Sequence, residues 1–214
     1  KGWDENKLDM FRRHIIQLGN SGVYVIYDEL EGKEAVTWSY LLHTVELPME
    51  MKELPNEVQV TGKNKAGGVS VAHLFSSAKT EQAIADTFFC APTNWKNVTN
   101  AQGKALKYPN HWHFSSTTVP CKVARFLTVM DTHGNNRPDI KVVRNGNTVQ
   151  VGDWVINCNL TEKGKAAITV TNKSEKVSLN YDAGKKEGAT IVTDQIKGKQ
   201  ISKVLTDYLP DFEI

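Results

Sequence analysis

The chain has 214 residues, 40% of them hydrophobic and 23% charged, with a formal net charge of +2. That balance excludes a disordered tail or a fibre, and so small and evenly spread a charge argues against a nucleic-acid-binding face. No stretch approaches the roughly 20 apolar residues of a membrane helix, so neither nucleic acid nor membrane is an expected partner.

The opening residues KGWDEN lead into strand pattern without a leader, and read as a fragment boundary. Arg12 to Leu18, the loop Gly19-Asn20-Ser21-Gly22 and Val23 to Leu30 form a predicted β-hairpin. Its second strand looks central, since Val23, Val25 and Tyr27 alternate with Tyr24 and Ile26 and both faces look covered until Asp28. Asp28 and Glu29 are adjacent and face opposite ways, so they do not share a substrate. After a turn-like Glu31 to Glu34, the run Ala35 to Thr44 reads as a third antiparallel strand with Val36, Trp38, Tyr40 and Leu42 inward. That pairing places His14 and His43 on neighbouring strands, where they satisfy local hydrogen bonds.

Further strand patterns lie at Glu57 to Thr61, Gly68 to Phe75, Trp112 to Val119, Val123 to Met130 and Ile140 to Arg144. They continue at Thr148 to Val151, Trp154 to Asn159, Ala166 to Thr171, Lys176 to Tyr181, Ala189 to Thr193 and Gln200 to Val204. Asn145-Gly146 predicts a hairpin turn with two positive φ values, and Val151 to Trp154 a second tight reversal. Thr80 to Phe88 has a poor helical face and reads equally as a strand or an irregular segment. The expected fold is all-β: an antiparallel β-sandwich of two or more packed sheets with very little helix. It occupies 1–214 as one domain, with a smaller β subregion from about 138 to 214 as an option.

The long polar stretch from Cys90 to Pro109 carries Trp95 beside Lys96, and also Lys104 and Lys107. With Trp112 these residues could stack on and neutralise an anionic glycan, although an aromatic anchoring its own loop explains Trp95 more simply. His111 and His113 stand two apart on a strand and therefore share a face, the spacing of a candidate metal pair. A third ligand would have to come from Asp131 or His133, and packed imidazoles without metal are the plainer explanation. No other cofactor is implied. Cys90, Cys121 and Cys158 include no C-x-x-C pair and stand in apolar contexts, which reads as reduced and buried. No nucleophile elbow, P-loop or dinucleotide fingerprint is present, and no catalytic set can be assembled.

The string FRRHIIQLGNSGVYVIYDELEGKEAVTWSYLLHT resembles the region beyond the catalytic part of heparinase II/III-like polysaccharide lyases, and NHWHFSSTTVPCKVARFLTVM resembles a later strand pair of that family. The resemblance covers much of the first 130 residues and fades afterwards. It implies a C-terminal β-sandwich domain that shapes a cleft for an anionic, uronate-containing polysaccharide cleaved by β-elimination. The α-helical toroid is missing here, as is the histidine-rich segment that precedes this region in the family and carries its H-x-H-x-D and D-x-G signatures, so no catalytic residue carries over. The implied partner is a catalytic domain of the same chain, and the implied location is periplasmic or extracellular. An apolar patch left exposed on one sheet face or near the N-terminus is expected on that basis. The alternatives are an autonomous carbohydrate-binding module, and a small metal enzyme built on His111 and His113.

Overall fold

The computed structural model describes residues 7–45, 47–86, 101–104, 111–184, 190–196 and 199–205, and contains no helix among them. No helix of the described residues is long and apolar enough to cross a membrane. The first strands are β1 (Leu8–Gln17), β2 (Val23–Val36), β3 (Ser39–Val45), β4 (Glu50–Leu54), β5 (Glu57–Lys63), β6 (Gly68–Ser76) and β7 (Thr80–Ala85). Two long strands follow, β8 (His111–Thr118) and β9 (Cys121–Gly134). The last group is β10 (Val142–Asn145), β11 (Thr148–Val151), β12 (Trp154–Cys158), β13 (Ala167–Asn172), β14 (Val177–Asp182), β15 (Thr190–Ile196) and β16 (Lys199–Leu205).

Three antiparallel sheets pack together as an all-β sandwich. A six-stranded sheet has the order β1-β2-β9-β6-β5-β4, a seven-stranded sheet runs β10 to β16 in sequence order, and a three-stranded sheet has the order β3-β8-β7. The six-stranded sheet is the middle layer. One of its faces contributes Val23, Val25, Tyr27, Phe75, Leu127 and Val129 to a core shared with the seven-stranded sheet. The other contributes Leu30, Val60, Ala72, Leu74, Ala124 and Phe126 to a second core beneath the three-stranded sheet. A strand covered on both faces needs apolar residues at successive positions, which is why β9 reads VARFLTV rather than as a clean alternation.

The β1–β2 hairpin closes over Gly19 and Gly22, whose φ values are +56° and +75°. Gly22 also passes so close to β9 that a Cβ there would lie 2.5 Å from the Thr132 carbonyl oxygen. Thr132 returns two hydrogen bonds to the Gly22 carbonyl, from N at 2.9 Å and Oγ1 at 2.7 Å. β2 is central as expected, with β1 on one side and β9 on the other.

Several local expectations are corrected. Glu31 to Glu34 is no turn: β2 continues to Val36 through an irregularity in its register with β9. The expected single strand Ala35 to Thr44 is split, because the chain changes sheets at Trp38 and β3 then pairs with β8. Trp38 is pinned at that crossing: its N–H bonds to Thr118 Oγ1 at 3.0 Å, its indole N–H to the Cys121 carbonyl at 3.1 Å, and its carbonyl accepts from Thr118 N at 2.9 Å. Thr80 to Ala85 is a strand, and β4, all of it exposed, had no apolar alternation to announce it. In the β10–β11 turn Asn145 remains in the ladder opposite Thr148, and only Gly146 takes positive φ, at +60°.

Candidate functional site

The middle sheet carries its polar residues where the layers meet. Burial on β2 does not end at Asp28 but deepens there, with Asp28 at 2% and Glu29 at 3% exposure. They do face opposite ways. Arg13 from β1 grips Asp28 with two bonds, Nε to Oδ1 at 2.7 Å and Nη2 to Oδ2 at 2.8 Å, and its guanidinium lies 5.4 Å from the centre of the Tyr40 ring. A bidentate pair of this kind fixes both side chains in one plane.

Glu29 points toward the seven-stranded sheet. Its Oε1 accepts from the Tyr181 hydroxyl at 2.6 Å and from Arg12 Nη1 at 2.8 Å, and Arg12 also donates to the Tyr181 oxygen. His14 packs its ring 4.1 Å from that of Tyr181, with Nε2 3.7 Å from Glu29. Burial, the strongest single influence, pushes the Glu29 pKa up, yet His14, Tyr181 and Arg12 together hold it below the ordinary value. Burial, followed by Glu29, pushes Tyr181 upward. A protonated tyrosine locked to a carboxylate is a strut between sheets rather than a proton acceptor. Tyr27 makes a parallel strut, its hydroxyl donating to the Asn159 carbonyl at 2.8 Å.

A second pair of struts ends the middle sheet. Arg125, 1% exposed, donates to the carbonyls of Thr161, Lys163 and Gly164 in the loop between β12 and β13. Asp131, fully buried, accepts from Arg137 through both carboxylate oxygens and from Ile140 N at 2.8 Å. Beside it, His133 Nδ1 lies 2.7 Å from the Gly134 carbonyl and Nε2 lies 2.9 Å from Asp139 Oδ1. Both neighbours are acceptors, so both ring nitrogens donate only as imidazolium. The Gly134 carbonyl is the strongest influence; burial opposes it, while Asp139 and Asp131 add to it, and the His133 pKa is raised from 6.5. A raised folded-state pKa stabilises below the unfolded value and is lost as pH rises through the folded one. Urea-midpoint measurements are expected to fall as pH rises above about 6.5, and His133→Gln is expected to flatten that slope; an unchanged slope would discard the assignment.

Only some of the residues singled out from sequence are among those described. Trp95, Lys96 and Lys107 lie outside the described residues, and Lys104 is exposed. Trp112 is half-buried against the second core, which makes it a packing residue on its inner side. His111 bridges Val45 in the ladder, and its side chain is outside the described set. His113 faces His43 across the β3–β8 ladder, ring centres 6.1 Å apart. His14 and His43 are therefore not on neighbouring strands but in different sheets, because of the crossing at Trp38. Asp131 and His133 belong to the Arg137–Asp139 cluster on the middle sheet, whereas His113 stands on the three-stranded sheet, and no group of three or more His, Cys, Asp or Glu among the described residues could hold a metal. Cys121 and Cys158 are buried free thiols; burial raises both, Cys158 to about 12, which leaves them poorly nucleophilic. Cys90 lies outside the described residues.

Sequence reasoning passed over Arg12, Arg13, Arg125 and Tyr181, which looked like ordinary strand residues. The one available signal was a basic pair, Arg12-Arg13, directly opposite an acidic pair, Asp28-Glu29, in the predicted hairpin.

On the Asp28 side of the middle sheet, a strip along β1 turns large apolar side chains outward. Phe11 is 45% exposed and Ile15 66%, with Arg13 between them. Large apolar side chains on an otherwise buried sheet face are the informative kind of exposure. No protein-family model matches the chain, and no curated protein matches it.

Proposed function

We propose that the chain is the C-terminal β-sandwich domain of a heparinase II/III-like polysaccharide lyase, acting in the periplasm or outside the cell. On this reading it shapes the path of an anionic, uronate-containing glycan, and bond cleavage belongs to a catalytic α-toroid docked against it. The observation that carries the reading is Ile15, 66% exposed on β1 beside the fixed Arg13–Asp28 pair, apolar surface flanking a pinned charge as on a domain-packing surface.

The test incubates the protein at high concentration with heparan, chondroitin and alginate polymers, following unsaturated uronate by its absorbance and binding in parallel. No product is expected from this chain alone. Product formation would overturn the supporting role and point to His14, His43, His111 and His113 as candidate bases. Tight binding without product would favour an autonomous carbohydrate-binding module instead.

A further inference from the structure

All three sheets meet at a cleft of about 470 Å³, within the roughly 300–1,000 Å³ range of small-molecule sites. The middle sheet supplies Glu57, the three-stranded sheet Gln82 and Ser116 with Lys79 just ahead of β7, and the seven-stranded side Arg144. Several of these are already held in place. His73, 6% exposed, fixes Glu57 through Nδ1 at 2.9 Å. Gln82 Nε2 donates to Thr80 Oγ1 at 2.7 Å and reaches Ser116 Oγ at 3.5 Å, Ser116 being fully buried. Arg144 sits 5.3 Å from the centre of the Phe75 ring, with Nε on the Gly146 carbonyl at 2.8 Å and Nη1 on that of Asn56 at 3.2 Å. Those bonds use two of the five N–H groups of a guanidinium. Leu74 and Leu160, 2% and 5% exposed, lie behind this predominantly polar lining.

The mixture of groups discriminates among ligands. A phosphate or sulfate site needs donors alone, and a hard-cation site needs oxygen acceptors alone. Here carboxylate acceptors stand beside ammonium, guanidinium and amide donors, with hydroxyls that do both. Vicinal sugar hydroxyls, each a donor and an acceptor, are the chemistry that uses such a set together. We infer that this cleft is a saccharide subsite: Glu57 and Gln82 take paired ring hydroxyls, and Lys79 with Arg144 meets an acidic substituent. The inference rests on the glycan reading above and gives it a location, on a different part of the middle sheet from the Phe11–Ile15 strip.

The experiment is calorimetric titration of the whole chain with chondroitin, alginate and neutral cello-tetrasaccharides, repeated on Gln82→Ala, Lys79→Ala and Ile15→Ser after circular dichroism confirms their fold. Gln82→Ala and Lys79→Ala are each expected to weaken acidic tetrasaccharide binding about tenfold, with Ile15→Ser unchanged. Acidic-glycan binding that ignores both cleft variants would overturn the subsite and leave the glycan reading standing. Binding of the neutral tetrasaccharide alone, weakened by Gln82→Ala, would keep the subsite and remove the uronate reading. No binding of any tetrasaccharide would overturn both.

Discussion

Arg125→Met lowers the unfolding free energy by about 3 kcal/mol, one of the two largest effects expected of a single change outside the apolar cores. Arg125 is buried in an interior strand of the middle sheet and directs its hydrogen bonds to three carbonyls of one loop, those of Thr161, Lys163 and Gly164. Methionine fills a similar volume, so the packing loss is small and the lost charge-assisted bonds dominate. Water reaches the exposed loop and recovers part of the loss, which holds the estimate at about 3 rather than 5 kcal/mol. Urea denaturation gives the total. Amide exchange gives the place: protection is expected to fall first around 159–166 and at the adjoining ends of β12 and β13, with β3 and β8 unaffected. Uniform loss of protection would mean that Arg125 supports the whole fold rather than the seam between two layers.

Glu29→Ala is expected to cost about 3–5 kcal/mol, the range for removing one member of a buried ion pair. It removes the acceptor of the Tyr181 hydroxyl proton and one acceptor of Arg12, which keeps its contact with the Tyr181 oxygen. Glu29→Gln keeps the shape but not the charge, and is expected to retain about half of the stability because the amide oxygen still accepts from Tyr181. The pH dependence separates charge from shape. The folded-state pKa of Glu29 is depressed, so its contribution is present above the unfolded carboxylate value and disappears as pH falls through the folded one. Wild-type and Glu29→Gln stabilities should therefore converge as pH falls below about 4. A gap that persists in acid would show that the substituted amide side chain misfits the seam sterically. Asp131, depressed by Arg137 and Ile140 against burial, adds to the same acid limb in both proteins and does not affect the comparison.

The struts tie the seven-stranded sheet to the middle sheet. Between them lie a large apolar core and polar ties that include Glu29 and Arg12 with Tyr181, Tyr27 with Asn159, Arg125 with its loop and Arg144 with the Asn56 carbonyl. The three-stranded sheet is tied differently, by Trp38 at the crossing and by the second core. A cleft formed where all three meet inherits rigidity from both sets of ties, which is what a subsite for a weakly held sugar requires.

Much of the fold was legible in the residues. Alternation of apolar side chains located most strands within a residue or two, and glycines at 19, 22, 146 and 152 marked reversals that the backbone does make with positive φ. β4 was illegible because an edge strand exposed on both faces has no alternation to read. The candidate site was scarcely legible. The aromatic and histidine strings drew attention by composition, whereas the buried charges were hidden in strands that read as ordinary. Tyr181 lies 152 residues from Glu29, and nothing local in KVSLNY announces that pairing.

The sequence by itself determined the strand class, the β1–β2 and β10–β11–β12 hairpins and the central position of β2, because most segments show either the period of two of the pleat or the continuous apolar run of a strand covered on both faces. Only the tertiary structure decided that the chain leaves the middle sheet at Trp38, that His43 meets His113 rather than His14, and that Glu29, Arg125 and Asp131 are internal. Those outcomes depend on which distant groups satisfy a buried polar atom. That choice is made by the free energy of the whole assembly and leaves no periodic trace in any one segment.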